Sequence, residues 1–146
     1  MNDDDKLGLA LIRDVLGVAA VGFVYAATDA PIVMVGLVVA FADLGRTIAK
    51  SLKDAKLGPA LTAAELQQIK QYANRVQQQL TLATSKASPG TEAYNQCIKI
   101  QLVLLEIMKS LDKAKPKKLR AADYEQYVAD IETYSKQLGD LARRLN

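Results

Sequence analysis

VLGVAAVGFVYAATDAPIVMVGLVVAFA, residues 15–42, runs for 28 residues with a single charge, Asp29, and a single proline, Pro31, both near its centre. No other segment of the chain approaches this apolar density. Whatever buries it, whether lipid, the remaining helices or other copies of the chain, decides much of what the protein does. A bilayer core of about 30 Å requires about 20 apolar residues in one helix. The half before Asp29 has 14 residues and the half after it 13, so each reaches only about 20 Å at 1.5 Å per residue. One continuous span would be long enough, but it would carry Asp29 near mid-membrane at a cost of about 3 kcal/mol. Asp and Pro together are turn chemistry instead. The segment therefore reads as a helical hairpin over 7–57, with Asp29-Ala30-Pro31 at its tip. Arg13-Asp14 and Asp43-Arg46 then lie near its base, within reach of pairing across the two legs. Gly17, Gly22 and Gly36 permit close helix approach, as membrane helix interfaces do, and Phe23 and Phe41 are the large apolar groups of the legs.

Outward from the hairpin, the chain reads as all-α, with five helices in one domain, 1–146. The second stretch starts at Pro31, which suits the first turn of a helix, turns polar after Asp43, and stops near Leu57-Gly58-Pro59. Thr62-Ala-Ala-Glu65 is a capping box that starts a third helix. Leu66, Ile69, Ala73, Val76, Leu80 and Ala83 form its single apolar stripe. Ser88-Pro89-Gly90 ends it, and Thr91 caps a fourth. That helix carries Tyr94, Ile98, Leu102, Leu105 and Met108 on one stripe and Ile100, Val103, Leu104 and Ile107 on others. Apolar on nearly every face, it is expected at the middle of the bundle. The fifth helix repeats Tyr124, Tyr127, Val128, Ile131, Tyr134, Leu138, Leu141, Ala142 and Leu145 as a heptad-like seam. Helices three to five, 62–146, are expected as an antiparallel amphipathic unit.

The chemistry is defined mostly by what is missing. The chain has no histidine and one cysteine. That removes the commonest general base, the Ser-His and Cys-His pairs, and a zinc site of Cys and His ligands. No phosphate-cradling glycine loop is present. Glu106, inside the apolar fourth helix, is the best candidate for a buried acid, although a structural or surface role is the preferred reading, and Cys97 on the same helix is expected to pack as a small hydrophobe. The tyrosines at helical spacing read as core rather than as a base-stacking platform. No enzyme activity, cofactor, metal or nucleic-acid partner is expected.

Charge is uneven: residues 1–61 hold six Lys/Arg against seven Asp/Glu, whereas residues 62–146 hold thirteen against nine. Two basic groups stand out. Arg46, Lys50, Lys53 and Lys56, towards the base of the second leg, mark the cytoplasmic or headgroup side by the positive-inside bias. Lys113, Lys115, Lys117 and Lys118, with Arg120, surround Pro116. Both are candidates for contact with acidic headgroups or an acidic partner, although the group around Pro116 reads first as a solvated interhelical loop. The acidic start, Met-Asn-Asp-Asp-Asp-Lys, lacks the basic region of a secretory signal, so no cleavable signal peptide is expected.

Over residues 7–57 the layout resembles helical pore-forming proteins, where a hydrophobic hairpin is attached to amphipathic helices, and the N-terminal helical bundles of cell-death effectors. The resemblance implies a membrane-active or membrane-anchored protein, with hairpin insertion into lipid and homo-oligomerisation through the small-residue faces. It leaves the C-terminal helices free to meet a protein partner. The alternative expectation is a cytoplasmic helical-bundle interaction or structural protein, whose hairpin is the core of the bundle or of an oligomer.

Overall fold

A computed structural model describes residues 12–14, 16–24, 31–55, 62–113 and 120–145. The fold is all-α, and among the described residues there is no strand. Residues 12–14 and 16–24 form α1. Pro31–Ala55 forms α2, Ala63–Lys86 α3, Glu92–Lys113 α4 and Ala121–Leu145 α5.

The helix ends obey local chemistry. Thr62 is extended and accepts from the Glu65 backbone N–H at 3.1 Å, while its hydroxyl donates to Glu65 Oε1 at 3.0 Å. This satisfies one of the orphan donors at the start of α3. At the other end of α3 the Ala87 N–H donates to the Ala83 carbonyl at 2.9 Å. Gly90 then takes φ +86°, a left-handed conformation open to glycine at little cost. Thr91 accepts from the Tyr94 N–H at 3.2 Å and starts α4 as a cap.

Packing runs antiparallel from α1 to α4. Leu16 of α1 approaches Gly45 of α2, and Phe23 meets Phe41 edge-to-face with ring centroids 6.0 Å apart. Both phenylalanines are fully buried, each contributing about 1.5–3 kcal/mol of apolar burial. α3 and α5 pack on α2, and α4 packs on α3. α5 also borders α1, where the Tyr134 ring lies over Gly17. The expected stripe of α3 is the buried one, from Ile69 to Ala83. The α5 seam is buried from Tyr124 to Ala142, with Tyr134 partly covered and Ser135 added to it.

Two expectations are corrected. The middle of the bundle belongs to α2, which is packed by α1, α3 and α5 and buries Met34, Leu37, Val38, Phe41, Leu44, Ile48 and Leu52. α4 is peripheral: it buries Ala93, Cys97, Ile100, Leu104 and Ile107 and turns Ile98, Leu102 and Leu105 outward. A helix apolar all round offers several faces for burial, and the smaller side chains of Ala93 and Cys97 sit on the face that was chosen. Glu106 lies in solvent with its side chain 54% exposed, in keeping with a surface role rather than that of a buried acid. Finally, the charges at the hairpin base do not pair across the legs. Arg13 pairs with Asp14 at 2.9 Å and leans onto α5, with Asp130 at 4.0 Å and the Tyr127 ring at 4.9 Å. Arg46 pairs with Asp43 within α2 at 3.1 Å.

Candidate functional site

On α2 the outward positions become charged from Asp43 onward. Arg46, Lys50 and Lys53 succeed one another at intervals of four and three, which places them on one face of the helix. This is the face that borders α5. There Lys136 and Arg143, seven residues apart, line the opposite wall. Between the walls runs a groove of about 720 Å³ floored by Ala49, Ser135 and Gly139. The floor is low because its side chains are small. Ala49 and Ser135 are buried, the Ser135 hydroxyl is turned inward onto the Ile131 carbonyl at 2.8 Å, and a Cβ added at Gly139 would meet nothing within 4 Å.

The lining carries five cations and one carboxylate, Glu132. Lys53 is held by Glu132 at 3.0 Å, and Arg46 and Arg143 each pair with an aspartate three residues away on their own helix, Asp43 and Asp140. These exposed pairs are weak in water. Lys50 and Lys136, on opposite walls of the groove, have no ion-pair partner among the described residues. Cations gathered around a concave surface focus a positive potential, which raises the local concentration of an anion.

No protein-family model, curated protein or solved structure matches the chain. Among the described residues no helix is long and apolar enough to cross a membrane, and no three His, Cys, Asp or Glu side chains gather where they could hold a metal ion.

The remaining candidate residues divide by position. Phe23 and Phe41 form the aromatic pair inside the core. Gly17, Gly22 and Gly36 seat side chains of the surrounding helices, namely Tyr134 of α5, Gln96 of α4 and Gln79 of α3. The close approach they permit is used within one chain. Pro31 opens α2 as expected, while Asp29 and the tip before it lie outside the described residues, as do Lys56, Lys115, Lys117 and Lys118. Lys113 is the last residue of α4. Arg46, Lys50 and Lys53 are brought together with Lys136 and Arg143, which the sequence reading missed. Their spacing of seven on the outer side of the heptad seam was the available signal.

Cys97 is buried, and burial pushes its thiol above the usual range against the opposing effect of the Thr84 hydroxyl. It packs as a small hydrophobe in the interface between α3 and α4.

Proposed function

We propose that this chain is a non-catalytic helical binding module. Its apolar hairpin serves as the core of the bundle, and its α2–α5 groove receives an acidic segment of a partner protein. The observation that carries this reading is the groove itself, with five cations, of which Lys50 and Lys136 have no ion-pair partner among the described residues, around a floor of small residues. A concave site favours a chain segment over a flat lipid surface, because the floor is reachable only by something that enters between the helices. Arg46 to Lys53 on one wall and Lys136 to Arg143 on the other each extend about 10 Å at 1.5 Å per residue. That length accommodates two turns of an acidic helix or a few extended residues. Burial of α2 among α1, α3 and α5 supports the core role of the hairpin, since insertion into lipid would have to separate these contacts first.

The test is calorimetric titration of the full chain with a deca-glutamate peptide, alongside co-sedimentation with vesicles containing phosphatidylserine. The reading expects peptide binding that weakens as salt rises, and a loss of about tenfold or more in Lys50→Glu/Lys136→Glu, about 1.4 kcal/mol. Vesicle binding with protease protection of residues 15–42 would overturn it in favour of the inserted hairpin. Peptide binding unchanged in the double variant would remove the groove as the site.

A further inference from the structure

The outer face of α4 is independent of the groove. Ile98, Leu102 and Leu105 stand on it at intervals of four and three, and they are 37%, 72% and 65% exposed. Asn95 and Lys109, both exposed, flank the three at either end. Three large aliphatic side chains aligned in this way have the spacing of a helix–helix seam, and no described helix covers them.

The charges beside the strip indicate what that second helix is. Lys99 is next to Ile98 and Glu106 next to Leu105, so both lie on the same edge of the seam, one of each sign. Lys99 has no ion-pair partner among the described residues, and Glu106 has only a loose one, Lys109 at 3.9 Å. A parallel copy of α4 would set like charges at equivalent heights. An antiparallel copy related by a twofold axis beside Leu102 does the opposite. Leu102 then meets the partner's Leu102, Ile98 lies opposite the partner's Leu105, and Lys99 lies beside the partner's Glu106, with each relation repeated by symmetry. A surface complementary to itself under a twofold rotation is the requirement for an isologous dimer.

We propose that two copies of this chain associate through the outer faces of α4, antiparallel, with Leu102 at the twofold axis. The strip is smaller than a standard interface, so the dimer is a weak one that forms and dissociates with concentration. Its formation leaves the α2–α5 groove uncovered, because α4 packs on α3 and the groove is lined by α2 and α5 alone.

Sedimentation equilibrium over a hundredfold range of concentration tests the proposal. The wild-type average mass is expected to rise towards that of two chains. Leu102→Glu, which sets two carboxylates against each other at the axis, should remain monomeric throughout while keeping its helical circular dichroism, because Leu102 is an exposed position. Lys99→Glu and Glu106→Lys should each weaken the dimer, and the double variant Lys99→Glu/Glu106→Lys should restore it. A wild-type chain that stays monomeric at every concentration overturns the proposal, as does a dimer that survives Leu102→Glu. Failure of the charge exchange to restore association overturns the antiparallel arrangement.

Discussion

The hydroxyl of Tyr124, in the first turn of α5, donates to the main-chain carbonyl of Leu52, in the last turn of α2. That carbonyl is one of the four at a helix end with no partner inside its own helix. The bond joins α2 and α5, the most extensively packed pair among α2 to α5, across 72 residues of sequence. Tyr124→Phe keeps the ring and leaves the carbonyl unpaired in a buried place, so the variant should lose about 1–2 kcal/mol in urea unfolding. The same group makes the fold sensitive to alkali. Burial, with the nearby Glu65 charge, pushes the Tyr124 phenol up to about 12 from its ordinary value of 10. A group whose folded pKa is raised contributes stability that is intact below 10 and is lost as pH rises through 12. Wild-type stability should therefore fall more steeply than that of Tyr124→Phe between those limits. Parallel pH profiles would remove Tyr124 as the cause.

Two glycines should respond to alanine with opposite signs. At Gly45 an added Cβ would collide with the Ser135 hydroxyl and lie 3.3 Å from Leu16 Cδ2. The crowding between α2, α5 and α1 should cost about 1–3 kcal/mol, more than the gain of about 1 kcal/mol in helix propensity. At Gly139 the added Cβ meets open space, and the propensity gain of about 0.5–1 kcal/mol should appear as added stability. Urea unfolding of both variants is the measurement, and a shared sign would contradict the packing described for Gly45.

Cys97 should be inert in the folded chain. It is fully buried, and its thiol is pushed above the usual range by burial, so little thiolate forms and no reagent reaches it. An aromatic disulfide reagent at pH 8 should label it only across the urea unfolding transition. Rapid labelling without denaturant would mean that α4 opens from α3 in the native state.

The capping box at Thr62, the break at Ser88-Pro89-Gly90 and the Thr91 cap are readable in the sequence because each is made by side chains within three or four residues of one another. The α3 stripe and the α5 seam are readable for a related reason: with only one apolar face, a helix has only one face to bury. α4 offered no such answer. With Ile98, Leu102 and Leu105 on one side and Ile100, Leu104 and Ile107 on another, its pattern leaves the direction of burial open, and the expectation of a central helix failed there. The exposure of Glu106 was decided with it, since its environment depends on which side of α4 turns inward.

The candidate site divides along the same line. Arg46, Lys50 and Lys53 share a face by helical spacing alone, and the sequence singled them out. Their meeting with Lys136 and Arg143 depends on the approach of α5 to α2, which places residues more than 80 positions apart in one groove.

The order of residues makes this chain helical, sets where its described helices begin and end, and lets one apolar run dominate the surface to be buried. These properties rest on hydrogen bonds and spacings within a few residues. That α2 is the helix the others cover, that α4 shows an apolar strip outward, and that five cations surround one groove are properties of the packed molecule. Periodicity states which residues share a face; the choice of the surface that covers that face belongs to the competition among all the helices for the same core.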